Sequence, residues 1–84
     1  MTVRVRLFAR ARDLAGVDAI DVEISNRSTV GDLRRALSEI QPALRDLLSR
    51  CAIAVNEDFA GDEAGVTETN EIAVIPPVSG GAAM

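Results

Sequence analysis

Val3, Val5 and Leu7 alternate with Arg4, Arg6 and Phe8, so the chain opens on a strand with one apolar and one polar face. Phe8 falls on the polar side, an aromatic ring among arginines, and is a candidate contact residue. Ala9 to Leu14 reads as one or two helical turns stopped by Gly16. Ile20, Val22 and Ile24 then alternate with Asp21, Glu23 and Ser25, a second strand whose short connection makes it an antiparallel neighbour of the first. Past the turn at Asn26-Arg27-Ser28, either Ser28 or Thr29 can cap a helix with Asp32 in its first turn. Val30, Leu33, Leu37 and Ile40 recur at helical spacing on one face, and Arg34, Arg35, Ser38 and Glu39 cover the other. The main helix therefore runs from Val30 to Gln41.

Pro42 closes that helix and suits the first turn of another, which carries the short stripe Leu44, Leu47 and Leu48. Ala52-Ile53-Ala54-Val55 is a buried strand, and Asn56-Glu57-Asp58 turns the chain towards a short strand at Phe59-Ala60. Gly61 to Gly65 is an acidic loop. Thr67 to Asn70 forms a turn, with Asn70 suited to a left-handed backbone. Glu71-Ile72-Ala73-Val74-Ile75 is the last strand. Pro76 ends it, because proline has no amide hydrogen to give the ladder.

This order predicts an α+β domain: a small mixed sheet with one principal helix across a single face. If the last strand lies beside the first, the middle of the sheet joins the two ends of the chain. Residues 1–75 make one domain, and 76–84 an extended tail, Pro76-Pro77-Val78-Ser79-Gly80-Gly81-Ala82-Ala83-Met84. Two prolines stiffen its exit, and the glycines allow close approach by another molecule's walls.

Phe8 and Phe59 are the only aromatic residues, so the core is aliphatic. With no histidine and one cysteine, metal sites built on imidazole or thiolate are excluded, as is a Ser-His-Asp triad. No nucleophile–base pair or phosphate-binding glycine loop is visible, so the chain is not catalytic alone. Cys51 cannot form an internal disulfide and reads as a packed small residue. No apolar run is long enough to span a bilayer and Met1-Thr2-Val3-Arg4 lacks a signal-peptide pattern, which makes a cytoplasmic protein the default expectation.

Charge is unevenly placed. There is no lysine, and all nine basic residues are arginines at or before position 50. Glu57, Asp58, Asp62, Glu63, Glu68 and Glu71 leave the last 34 positions purely acidic. An acidic half that ends in a thin tail points to a partner with a basic surface rather than to nucleic acid or membrane.

The run Phe8-Ala9, Arg12-Asp13-Leu14 and Gly16, then Ala54-Val55-Asn56, then Glu71 through Ile75 into Pro76-Pro77-Val78-Ser79-Gly80-Gly81, resembles the small-subunit family of molybdopterin synthase. That family comprises ubiquitin-like, β-grasp sulfur carriers. The resemblance implies a β-grasp sheet of about five strands with one main helix and short extra helices. It also implies a chemistry. The Gly81 carboxyl is adenylated, with ATP consumed by a ubiquitin-activating-type adenylyltransferase, and a sulfur donor converts it to a thiocarboxylate. The tail then enters the large synthase subunit, where sulfur passes to cyclic pyranopterin monophosphate. No cofactor is held stably by the carrier.

Carried over by position, Gly81 bears the reactive carbonyl and Gly80 lets the tail thread. Phe8, Phe59 and Ile75 contribute to an apolar docking patch, Arg12 meets an acidic group, and Pro76, Pro77 and Val78 line the tail's entry. Two departures stand out. Glu68-Thr69-Asn70 replaces the family's usual Asp-Gly-Asp turn. Ala82, Ala83 and Met84 follow Gly81, which implies a tail-trimming protease. Two other readings stay open: a sulfur carrier for thiamine, cysteine or another thiolated metabolite, and a non-catalytic ubiquitin-like binding module or protein modifier.

Overall fold

The computed structural model describes residues 1–77. Its first strand, β1 (Thr2–Leu7), buries Val3, Val5 and Leu7 completely or nearly so and exposes Thr2, Arg4 and Arg6, as the alternation requires. Helix α1 (Ala9–Ala15) follows at once. It ends at Gly16, whose φ of 79° lets its N–H donate back to the Arg12 carbonyl at 2.8 Å. Strand β2 (Ala19–Glu23) returns antiparallel to β1, with Val3 opposite Val22.

Helix α2 (Val30–Ile40) starts on a reciprocal cap. The Thr29 hydroxyl accepts from the Asp32 N–H at 3.2 Å, and the Asp32 carboxylate accepts from the Thr29 N–H at 3.0 Å. Thr29 is thus the cap. Ser28 is buried instead, its hydroxyl donating to the Ser25 carbonyl at 2.6 Å. Val30, Leu33 and Leu37 are fully buried under the sheet, but Ile40 is 50% exposed and does not belong to the core stripe. The helix stops there: the Gln41 N–H closes on the Leu37 carbonyl, and Pro42 turns the chain away before a further turn can cover Ile40.

A 3-10 turn (Pro42–Leu44) and α3 (Arg45–Leu48) bury Leu44, Leu47 and Leu48. Strands β3 (Ala52–Val55) and β4 (Asp58–Ala60) form a hairpin, and β5 (Ile72–Ile75) completes the sheet. The strand order is β2-β1-β5-β3-β4. β5 lies parallel to β1 and antiparallel to β3, so the first and last strands meet in the middle of the sheet, as expected.

All helices pack on one face of the sheet, over Val3, Val5, Leu7, Val22, Ile53, Ile72 and Val74. At the hairpin, Asn56 and Glu57 both have positive φ, 52° and 74°, which matches the twist of a tight two-residue connection. Asn70, expected in the left-handed region, is not among the positive-φ residues. It closes its turn through its side chain instead, Oδ1 accepting from the Thr67 N–H at 2.6 Å.

The acidic loop is sewn to the start of α2. Val30 N–H donates to Ala64 O at 2.8 Å, and Gly31 N–H to Asp62 O at 2.9 Å. Gly31 suits this approach, since a Cβ there would meet Asp62 at 3.3 Å. Among the described residues, no buried side-chain polar atom lacks a partner.

Candidate functional site

Among the described residues, no element covers the face of the sheet opposite the helices. Arg6, Ala73, Ala54 and Phe59 are register partners across β1, β5, β3 and β4, so all four project from this open face. Ala52 and Ile75 pair in the neighbouring row. Three alanines in the centre leave the sheet low there, with Phe59 standing at one side, 75% exposed.

At the other side Phe8, the N-cap of α1, is 38% exposed. Its ring lies 5.6 Å from the guanidinium carbon of Arg6, within cation–π range. A depression of about 160 Å³ lies between them, lined by Arg6, Phe8, Ala54, Ala73, Glu57 and Glu71. The open face therefore has an apolar floor, an arginine on one rim and two carboxylates on another.

The predicted site residues divide by position. Phe8, Phe59 and Ile75 share this face, with Ile75 half-buried in the last position of β5. Arg12 is exposed on α1, in its last turn, beside the tail-bearing end of the sheet. Pro76 is buried and Pro77 exposed, so the first of the two prolines packs on the body and the second leaves it. Val78, Gly80 and Gly81 lie outside the described residues.

The pattern of the sequence assigned no contact role to Arg6, Ala54 or Ala73, and marked Glu57 and Glu71 only as members of the acidic half. Alanine in a strand gives no chemical signal, and its use as a floor becomes visible only once the register brings Ala54 and Ala73 side by side.

Asn56 ties the β3–β4 hairpin to the entry of β5. Its N–H donates to the Glu71 carbonyl and its Oδ1 accepts from the Glu71 N–H, both at 2.8 Å. The hairpin is thereby pinned to the residue just before the last strand.

A larger groove of about 570 Å³ lies on the helical side, around Arg34, Arg35, Arg45, Ser49 and Asp62. It is remote from the open face. Arg34 is committed there: its Nη1 donates to the carbonyls of Leu48 and Cys51, the latter at 2.9 Å. Cys51 is buried, and burial pushes its thiol up, against the opposing pull of Arg34 and Arg50. Among the described residues no cluster of three or more His, Cys, Asp or Glu is placed to hold a metal. No helix there is long and apolar enough to cross a membrane.

A five-stranded mixed sheet of order β2-β1-β5-β3-β4, with its principal helix across one face and an open face beside the C-terminal exit, defines the ubiquitin-like β-grasp class. Within that class the chain belongs to the ThiS family, which it matches over residues 5–81. The matched span ends on the second glycine of the pair.

Among curated proteins it is similar to the molybdopterin synthase sulfur carrier subunit of Arabidopsis thaliana, 38% identical over 94% of this chain and 82% of that protein. Among solved structures it is similar to the small archaeal modifier protein SAMP1 of Haloferax volcanii. There the TM-score is 0.85 at 27% identity, covering 95% of this chain and 99% of the other. It also resembles a chain in the complex of subunits 1 and 2 of the molybdopterin-converting factor from Helicobacter pylori, with a TM-score of 0.68 at 25% identity, over 95% and 99% of the two chains.

Proposed function

We propose that this chain is the sulfur-carrying small subunit of a molybdopterin synthase, with the Gly81 carboxyl as its working group. The observation that carries this is the position of the tail's root. Pro76 and Pro77, which lead in sequence to Val78-Ser79-Gly80-Gly81, continue directly from β5, the middle strand of the sheet, beside an apolar face that no described element covers. A face to grip and the root of the arm thus belong to one sheet.

The chemistry explains why both are needed. A carboxylate is a poor electrophile until an oxygen of it carries a good leaving group. Adenylation supplies that group: the Gly81 carboxylate attacks the α-phosphorus of ATP and pyrophosphate leaves. A sulfur nucleophile then displaces AMP and leaves a thiocarboxylate. Both steps take place in a partner's cavity, which a side-chain-poor arm can enter, and prolines at its base reduce the entropy lost on insertion.

Docking on the large subunit uses Phe8, Phe59 and Ile75, with Arg12 meeting an acidic group. Inside that subunit the thiocarboxylate gives its sulfur to cyclic pyranopterin monophosphate. Ala82-Ala83-Met84 would move the carboxylate about 10 Å outward, at about 3.3–3.6 Å per residue. A protease therefore trims the chain to Gly81 before activation.

The test is reconstitution. A chain ending at Gly81, incubated with its activating enzyme, ATP and a sulfur source, is expected to gain the mass of one sulfur-for-oxygen exchange and then to support molybdopterin formation with the large subunit. The chain ending at Met84 is expected to do neither. Intact-mass analysis of protein from its native cell checks trimming, and a population ending only at Met84 contradicts it.

The likeness to SAMP1 favours one second reading, a protein modifier. It shares the activated glycyl carbonyl and differs in the acceptor, an amine instead of sulfur. Transfer to lysine-bearing proteins, with no sulfur transfer to the large subunit's substrate, would select it.

A further inference from the structure

An activated Gly81 carbonyl, on which this inference rests, is open to any nearby nucleophile. When an amine attacks, a C–N bond forms, the C–O bond to AMP breaks, AMP leaves and the amine proton passes to solvent. The carrier is then lost as an amide. The groups on this chain that can react in that way are few, and each is withheld differently.

The sequence contains no lysine. Its nine cationic side chains are all arginines, whose guanidinium stays protonated and is a poor nucleophile. What remains is the Met1 amine and the Cys51 thiol. The Met1 ammonium donates to the Ile24 carbonyl at 2.7 Å while the Met1 carbonyl accepts from the Ile24 N–H at 2.9 Å, so it is held as the last rung of the β1–β2 ladder.

Topology sets Met1 far from the tail. β1 and β5 run parallel, with Leu7 beside Val74. Met1 therefore lies seven residues below the level of Ile75, about 23 Å at about 3.3 Å per residue. The six residues from Pro76 to Gly81 can reach at most about 20–22 Å, short of that distance. The Cys51 sulfur is buried, and its raised pKa keeps it in the less reactive thiol form at neutral pH.

We infer that this carrier is cleared of nucleophiles that its own activated Gly81 carbonyl could acylate: it has no lysine, its one amine is tied at the opposite end of the sheet, and its one thiol is buried. The acyl group therefore persists until a sulfur nucleophile from outside the chain, a hydrosulfide, meets it in the partner's cavity, forms the C–S bond and displaces AMP.

The experiment uses a Gly81 thioester made by intein cleavage. Every described element lies within residues 1–77, so a chain ending at Gly81 keeps the fold. The thioester is made without ATP or activating enzyme. The result is thus independent of whether the proposed adenylation occurs, and failure of adenylation would count against the proposed function alone.

In mildly alkaline buffer the unmodified sequence is expected to yield only the free acid by hydrolysis, with no dimer and no product lighter by one water. Arg50→Lys keeps the charge and places an amine at the tail-bearing end, two residues before Ala52, the register partner of Ile75. At an effective concentration on the order of mM it is expected to give the amide-linked product, lighter by one water than the free acid, that the unmodified chain does not form. In denaturing urea the unmodified chain is expected to acylate Met1, because the fold that withholds that amine is gone.

Self-acylation of the folded, unmodified chain at Met1 or Cys51 would overturn the inference. So would an Arg50→Lys chain that only hydrolyses. An unmodified chain equally inert in urea would overturn the part assigned to the Met1 restraint.

Discussion

Arg34 and Asp62, 28 positions apart, are joined by a guanidinium that sends Nε and Nη2 to one carboxylate oxygen at 3.2 and 3.0 Å. The two ends of this contact are unequal. The Asp62 side chain is 61% exposed, whereas that of Arg34 is 21% exposed and its Nη1 also serves the carbonyls of Leu48 and Cys51 where α3 passes into β3. Removing the carboxylate forfeits an exposed ion pair; removing the guanidinium takes the Arg34 donor from the Cys51 carbonyl and leaves the Leu48 carbonyl with only the Cys51 N–H, 3.3 Å away.

Arg34→Met is therefore expected to destabilise the fold by about 1.5–3 kcal/mol, the range for hydrogen bonds that involve a charged group. Asp62→Ala is expected to cost about 0–1 kcal/mol. Urea unfolding of the two variants checks the ranking, and equal losses would contradict the division of roles.

The cap of α2 gives the protein an acid-sensitive contact. Hydrogen bonds from the Thr29 backbone and side chain, with Arg35 3.2 Å away, hold the Asp32 carboxyl below its ordinary value of 3.8. Because the folded value lies below the unfolded one, the contribution is present above pH 3.8 and is lost as pH falls through the folded value. Asp32→Asn is expected to flatten the acid limb of a stability–pH profile measured by urea midpoints. Thr29→Ala, which removes the hydroxyl cap, is expected to cost about 0.5–2 kcal/mol at neutral pH.

These two contacts differ in how far the sequence discloses them. Thr29 and Asp32 are three residues apart just before an apolar run, a local signature that reads directly. Arg34 sits on the polar side of the same helical wheel and looks like a solvated residue. Its role depends on where the chain passes into β3 at Cys51, 17 positions later, which no local pattern encodes. The strands were legible because burial on one face imposes a period of two. Ile40 was misassigned because periodicity does not say where a helix loses its cover. Phe59 falls in a strand of three residues, too short for alternation to assign a face, so its exposure had to come from the register.

The hairpin that carries Phe59 stores strain that one substitution can release. Glu57 has φ of 74°, a conformation that costs a side-chain-bearing residue roughly 1–2 kcal/mol and glycine almost nothing. Glu57→Gly is expected to stabilise the protein by about 1 kcal/mol, seen as a higher thermal midpoint. Asn56→Ala is expected to act in the opposite direction, because it removes the acceptor for the Glu71 N–H as well as a residue tolerant of positive φ.

The exposed ring of Phe59 supplies the sharpest test of the docking face. At 75% exposure it contributes little to the folded chain, so Phe59→Ala is expected to leave the urea midpoint within about 0.5 kcal/mol of the unmodified value. If the open face seats the large subunit, the same ring becomes a buried aromatic anchor. Its removal is then expected to weaken that complex by about fivefold to thirtyfold, an anchor's loss of about 1–2 kcal/mol. Phe8→Ala on the other side of the alanine floor is expected to behave alike, with Arg6 left without its ring partner. Calorimetric titration of each variant into the large subunit measures this. Unchanged affinity in both would place the docking surface elsewhere on the molecule.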